Sequence, residues 1–399
     1  MKGDDHVTES PRQEAYVVLT ELFLPTKGGT AVWFDEVYRR IGDRSTHVIT
    51  AAVADSSAHD EAHQNTIHRL NLARSNWMRP ASLPLYLKFF AMTLYLGLRY
   101  RFHQIHAGRV LPEGLIAVVC GRLLRIPSVV YAHGEELTTW RRSKRRLRAM
   151  RFAFGLADTA IANSEFTKSH LLELGIAPEK IRLIYPGVDV ARFHPMADAR
   201  EIAASLGIRP EQKFVLSVGR LSRRKGFDKT IEAVAALRRT GLDVEYVIIG
   251  IGEDEGYLNE LAQSAGIEQV VHLIGHVPAD DLPKWYNACD VFAMPNREID
   301  GDTEGFGMVF IEAAACCKPS VAGDAGGTGD AVVDGVTGLR VDGNDVGAVT
   351  AALGRILGDA DVAAAMGTKG FERVAAEFDW NVVAEKTMAL SRKAGGARQ

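Results

Sequence analysis

Two glutamates, Glu304 and Glu312, stand eight residues apart in the stretch GDTEGFGMVFIEAAACCKPSVAGDAGG, Gly301 to Gly327. On one continuous helix that spacing turns them about 80° apart, so they would not share a face. Gly305 and Gly307 argue instead for a loop, with a helix starting near Gly307. Glu304 then lies in the loop ahead of a helix N-terminus, and Glu312 about one turn inside the helix. Amides near Gly307 and Met308 are left free to meet phosphate. A loop carboxylate accepts hydrogen bonds from sugar hydroxyls, and a second one bridges the vicinal hydroxyls of a ribose. The spacing suits a ligand with a sugar at one end, phosphates in the middle and a nucleoside at the other. The plainer alternative is an acidic helix cap and a surface glutamate.

A second stretch offers the matching charge. In SVGRLSRRKGFDKTIEAVAALRR, from Ser217, a strand ends at Gly219, Arg220 and Lys225 follow in a loop, and a helix begins near Gly226. Helix N-terminal amides bind anions, Lys adds a point charge and Arg adds bidentate donors. Such a loop holds a diphosphate without a metal. Arg223 and Arg224 share the loop, and the spacing does not say which cations turn inward. The competing reading is a solvated basic loop. Two further motifs compete less well. Asp300–Gly301–Asp302 is a D-x-D tripeptide of the kind that binds a divalent metal elsewhere, but here it reads as a polar lead into Glu304, so no metal ligands are assigned. IGIGEDEG, from Ile249, has Glu255 where a dinucleotide fingerprint needs its third glycine. GGTGD, at Gly326, reads equally as a helix-entry loop or a plain turn.

The elements that must position these residues alternate along the chain. At 399 residues the sequence is long enough for two cores. Strands are expected at AYVVLT (from Ala15), HVITA (His47), IHRLNL (Ile67), SVVYAH (Ser128) and TAIANS (Thr159). They recur at KFVLSVG (Lys213), VEYVIIG (Val244), VVHLIG (Val270), DVFAMP (Asp290) and PSVAG (Pro319). Helical patterns lie between them, which implies α/β architecture with parallel sheets covered on both faces. The strand IRLIY is followed by YPGVDVARFHP, Tyr185 to Pro195, which has the prolines and glycine of a linker. Two doubly wound domains facing across a cleft are expected, spanning 1–190 and 191–378. The stretch 379–399 forms an amphipathic helix, packing back on the N-terminal domain, and a disordered tail, GGARQ. Ligands in such sheets bind beyond the carboxyl ends of the strands.

Bulk composition excludes several classes. The net charge of −3 gives no overall attraction to nucleic acid. Cys120, Cys289, Cys316 and Cys317 form no CxxC pair and read as reduced thiols of a cytosolic protein. The N-terminal MKGDDHVTESPRQ lacks the apolar core of a signal peptide. The most apolar stretch, LPLYLKFFAMTLYLGLRYRFHQIH from Leu83, is interrupted by Lys88 and ended by Arg99 and Arg101, too short to span a bilayer.

Taken together, the motifs resemble those of the retaining glycosyltransferases of the GT-B fold, family 4, over nearly the whole chain. LPTKGGTAVWFDEV (from Leu24) resembles the family's Gly-Gly loop, and YAHGEEL (from Tyr131) its strand-end histidine segment. NSEFTKSHLLELGIAPEKIRLIYPGVDVARFHP (from Asn163) is similar to the bridge between its two Rossmann-like domains. VGRLSRRKG and EGFGMVFIEA are similar to its phosphate and E-x7-E motifs. The resemblance implies a hexosyltransferase using a nucleotide-diphosphate sugar. Gly28 and Gly29 would approach the donor phosphate and acceptor, and His133 would sit near the sugar and the departing oxygen. Arg220 and Lys225 would clamp the diphosphate. Glu304 would bind the transferred sugar and Glu312 the ribose. Amides of Gly305, Phe306, Gly307, Met308 and Val309 would complete the site, and Val277, in GHVPADDL, would border the base. Catalysis would need no cofactor and no divalent metal.

The form GDTEGFGMVFIEA resembles members using GDP-mannose, notably phosphatidylinositol-mannoside mannosyltransferases. A UDP-sugar donor (glucose, galactose or N-acetylglucosamine) stays open, as do a UDP-sugar 2-epimerase and a non-catalytic sensor on the same fold. The acceptor would be a lipid-linked or cell-envelope glycan. RRSKRRLR, from Arg141, carries six cations in eight residues: Arg141, Arg142, Lys144, Arg145, Arg146 and Arg148. It reads either as a solvated helix face or as a patch for anionic lipid. The expected location is cytoplasmic, peripheral on the cytosolic face of a membrane.

Overall fold

The computed structural model describes residues 15–26, 28–72 and 83–395. The polar N-terminal stretch and the last four residues of the tail, both given expectations above, lie outside them. Seven strands form one sheet: β1 Tyr16–Leu19, β2 His47–Ala51, β3 Thr66–Leu70, β4 Gln104–Ala107, β5 Ser128–Ala132, β6 Thr159–Ala162 and β7 Ile181–Leu183. Their order is β3-β2-β1-β4-β5-β6-β7. Six more form a second: β8 Lys213–Val218, β9 Val244–Ile249, β10 Val271–Gly275, β11 Val291–Met294, β12 Ser320–Gly323 and β13 Gly338–Val341. Their order is β10-β9-β8-β11-β12-β13. β1 runs parallel to β2 and β4, and β8 parallel to β9 and β11.

The apolar runs explain the central strands. Tyr16, Val17, Val18 and Leu19 are all fully buried, as expected of a strand covered on both faces. β9 is buried along its whole length, and its one charged residue, Glu245, is satisfied by Gln212 Nε2 at 2.9 Å and His272 Nε2 at 2.9 Å. In each sheet the strand order reverses once, between β1 and β4 and between β8 and β11. These are the topological switch points of doubly wound sheets.

Two strands escape the sequence reading. β4 is QIHA, whose polar Gln104 and His106 break the apolar pattern of a buried strand. Both are buried because they satisfy each other: His106 Nε2 lies 2.8 Å from Gln104 Oε1, and Nδ1 lies 2.5 Å from the Tyr38 hydroxyl. Burial drives the His106 pKa down to about 3, so the ring is neutral. β13, GLRV, is an edge strand whose glycine and arginine conceal the β pattern.

By contacts the chain divides into two compact units. The first comprises residues up to Tyr131, Arg148–Ile161 and Ala384 onward; the second comprises Ala132–Leu147 and Ala162–Val383. The segment Tyr185–Pro195 is packed within the second unit, where Val188 N donates to Phe378 O at 2.8 Å. The last helix, Trp380–Gly395, starts with Trp380 buried in the second unit. Farther along it, Thr387 hydrogen-bonds Tyr131 in the first. Among the described residues no helix is long and apolar enough to cross a membrane. Cys120, Cys289 and Cys316 are buried, and burial pushes the Cys120 and Cys289 thiols up to about 12, which removes them as nucleophiles.

Candidate active site

The second unit's switch point is built from the loops that leave β8 and β11. The loop after β8 turns through the 3-10 segment Arg223–Lys225 and enters the helix Phe227–Arg239 at Gly226, whose φ is 76°. A Cβ at Gly226 would fall 2.0 Å from Pro295 O, so only glycine lets this loop lie against the end of β11. Asp228, in the helix's first turn, receives both guanidinium arms of Arg297, at 3.0 and 2.8 Å, with both residues buried. That bidentate pair ties the β11 loop to the helix.

The loop after β11 makes a tight hairpin. Asp300 and Gly301 both have positive φ (54° and 82°), and Ile299 and Asp302 exchange backbone hydrogen bonds of 3.0 and 2.8 Å. This is the Asp-Gly pattern of a two-residue turn. The D-x-D tripeptide is thus the turn itself, and Asp302 Oδ2 faces Arg224 Nε at 3.2 Å. Two residues on, Glu304 Oε2 accepts from Lys225 Nζ at 2.5 Å and from Arg224 Nη1 at 2.9 Å. Burial alone would raise the Glu304 pKa, but Lys225 and Arg224 hold it down at about 2. Glu304 is therefore an acceptor-only carboxylate at any working pH.

The backbone around Glu304 is packed from two sides. A Cβ at Gly305 would sit 2.0 Å from His133 O. That same carbonyl accepts from Asn163 Nδ2 at 3.0 Å, and His133 N donates to Glu136 Oε1 at 2.8 Å. On the other side, Gly327 N donates to Glu304 O at 2.8 Å, so the Gly326–Gly327 turn braces the carboxylate loop. The helix Met308–Ala315 starts immediately after Gly307, with φ 92°, and presents its first-turn amides beside Glu304. Glu312, inside that helix, accepts from the Tyr286 hydroxyl at 2.7 Å. Burial raises its pKa, with Tyr286 and Arg192 pulling it back. Two cations, an acceptor carboxylate and a helix N-terminus thus meet at one switch point. That arrangement can hold an anion beside a polyhydroxylated group.

Residues 27–192 match the family described as Glycosyltransferase Family 4, and residues 198–373 match Glycosyl transferases group 1. The chain is 30% identical over 393 residues to the GDP-mannose-dependent alpha-(1-6)-phosphatidylinositol monomannoside mannosyltransferase of Mycobacterium tuberculosis, covering 96% of this chain and 99% of that one. The chain belongs to this glycosyltransferase family. It is also 35% identical over 297 residues to the protein of the same description from Mycolicibacterium smegmatis, covering 73% of this chain and 77% of that one. The fold is that of the Anabaena Alr3699/HepE protein in complex with UDP and glucose. There the TM-score is 0.80 at 20% identity, over 95% of this chain and 100% of that one. The two Rossmann-like sheets are accordingly those of the GT-B fold.

In this glycosyltransferase Lys225, Glu304, the His133 backbone and the Gly305–Val309 segment come together in the second unit. The Arg220 side chain is 73% exposed and its Nε pairs with Glu253 at 3.0 Å. Phe306 is buried, and Val277 packs against the same core from the loop after β10. Gly28 and Gly29 lie in the first unit, at the start of the helix Gly29–Ile41. In the basic run, Arg141 pairs with Glu173 at 2.8 Å and Arg146 lies over the Trp140 ring. Lys144, Arg145 and Arg148 are exposed, and Arg142 ends the turn Trp140–Arg142. Sequence reasoning missed Arg224 as the second cation on Glu304, because four basic residues share one loop. It also missed the bond from Asn163, directly after β6, to the His133 carbonyl, and the Asp228–Arg297 brace, whose partners lie 69 residues apart.

Proposed function

We propose that this glycosyltransferase moves a mannosyl residue from GDP-mannose to a hydroxyl of a lipid-linked or cell-envelope glycan, with retention at the anomeric carbon. The observation that carries the proposal is the Arg224–Lys225–Glu304 cluster beside the N-terminus of the helix Met308–Ala315. As the bond between the anomeric carbon and the phosphate oxygen breaks, charge develops on the diphosphate. Lys225, the basic loop and the helix amides stabilise it where it forms. Glu304 accepts from the sugar hydroxyls, Glu312 from the ribose, and His133 lies beside the departing oxygen. The incoming hydroxyl bonds to the anomeric carbon on the same face, and its proton passes to the leaving phosphate. Fixed cations supply the countercharge, so the reaction uses no cofactor and no divalent metal. The donor assignment rests on the GDP-mannose-dependent relatives at 30% and 35% identity.

The enzyme works on the cytosolic face of a membrane, docked peripherally. Support comes from the helix Leu83–Arg99, whose outward residues Leu87, Tyr95 and Leu98 are 54%, 58% and 74% exposed, and from the exposed cations of the basic run. A thermal-shift panel of GDP, UDP, ADP and TDP with their common sugars, run in EDTA, tests the donor. A ligand that binds only the folded state raises Tm by mass action. The expected result is a selective shift with GDP and GDP-mannose. A selective UDP shift would replace mannose by a UDP-sugar. Consumption of that donor without acceptor would point to a 2-epimerase.

A further inference from the structure

Three side chains in the first unit, unused by the proposed reaction, converge beside the loop that precedes Gly28. Asp35 lies on the inner face of the helix Gly29–Ile41 and is 2% exposed. His59 sits in the short helix Ser57–Ala62, and His63, just beyond it, is 7% exposed. Asp35 Oδ1 is 2.7 Å from His59 Nε2 and 3.4 Å from His63 Nε2. One donor atom from each residue lies within 4.8 Å of the other two. Two imidazoles and a carboxylate form a donor set suited to zinc. With bonds near 2.0–2.1 Å, tetrahedral donors stand roughly 3.3 Å apart. The Asp35–His63 pair already has that separation, and the Asp35–His59 pair, at 2.7 Å, must open by about half an ångström.

Two further observations fit a cation at this cluster. First, His63 Nε2 is buried and its counter-group is Asp35 Oδ1 at 3.4 Å, a charge contact longer than a good hydrogen bond. A cation between the two groups would satisfy both more closely than that long contact does. Second, His59 is held from behind. Its Nδ1 lies 3.2 Å from Asp60 Oδ1, and Asp60 in turn receives Arg69 Nε at 2.9 Å and Nη2 at 2.7 Å. A carboxylate behind an imidazole is the outer partner metal-ligating histidines carry, and an ion would displace the proton that His59 Nε2 shares with Asp35 at 2.7 Å. The His59 side chain is 24% exposed, which leaves room for water in the fourth position.

We propose that Asp35, His59 and His63 bind one zinc-class divalent cation. His63 Nδ1 accepts from Asn65 N at 3.1 Å; ligation through Nε2 moves the imidazole proton to Nδ1, so that bond is lost and the Asn65 N–H must turn to another acceptor. The ion is structural. Phe23 sets its ring edge-on to both imidazoles, and Arg69 also donates to Leu24 O, so the ion braces the loop leading to Gly28.

Untagged full-length protein, stripped with a chelator and dialysed, would be titrated with zinc against a colorimetric zinc dye, with Tm recorded in parallel. One zinc per chain and a higher Tm are expected. His63→Gln and His59→Gln should each weaken binding at least tenfold, and Asp60→Asn about tenfold. Cys317→Ser should leave binding unchanged. Should His63→Gln fail to fold, His59→Gln, on the partly exposed helix, carries the test. Failure of the wild type to compete with the dye overturns the proposal. So does wild-type affinity in the histidine variants.

Discussion

Glu304 is a mostly enclosed acid held by two cations, and that fixes what its removal does. With a pKa of about 2, its charge is fully present above the ordinary carboxylate range and is lost only as pH falls toward that value. Glu304→Gln keeps the shape and removes the charge at every assayable pH. The expected outcome is a fall in kcat of about 10²-fold, since the sugar loses its positioning acceptor. GDP affinity should hold or rise, because Lys225 and Arg224 lose a competing anion. Steady-state kinetics and nucleotide calorimetry read the two effects separately, and an unchanged kcat would remove Glu304 from the mechanism. This residue was legible in the sequence because Gly305 and Gly307 forced a loop ahead of a helix. Arg224 was not, since the choice among Arg220, Arg223, Arg224 and Lys225 is made by the turn Arg223–Lys225 and not by residue type.

At the scale of elements, the turn between β4 and the helix Leu115–Leu124 carries a buried acid. Burial raises Glu113 to about 7, against the pull of its hydrogen bond from Glu21 N at 2.9 Å. The folded state therefore keeps its proton after the unfolded chain has lost it, and stability falls as pH rises from about 4.5 through about 7. The loss is at most about 3 kcal/mol. Glu113→Gln retains an oxygen for the Glu21 amide and removes the titration. Its Tm should match the wild type near pH 5 and exceed it near pH 8. A wild-type pH dependence in scanning fluorimetry would contradict this. The elements missed from sequence have physical reasons as specific as this one. β4 hides its strand character behind Gln104 and His106, which are buried as a mutually bonded pair, and β13 is a short edge strand holding Gly338 and Arg340. The long apolar runs at β1, β8 and β9 could be read directly because burial on both faces leaves no polar alternation to confuse them.

At the scale of the whole molecule, a net charge of −3 means that any attraction to an anionic membrane is local. Each cation near such a surface contributes about 1 kcal/mol, and exposed leucines add apolar burial. Wild type should float with anionic vesicles at low salt and not with neutral ones. Leu87→Ser with Leu98→Ser should lose flotation while keeping its nucleotide-induced Tm shift. Flotation of this variant at the wild-type level would remove the helix Leu83–Arg99 from the docking surface. Transfer requires the loop after β8 to stabilise the leaving diphosphate. The most direct measurement is the initial rate of sugar transfer into a lipid extract, wild type against Lys225→Ala, with the donor selected by the nucleotide panel. A loss of about 10²–10³-fold or more, with the fold intact by circular dichroism, is the predicted result. A rate close to wild type would contradict it.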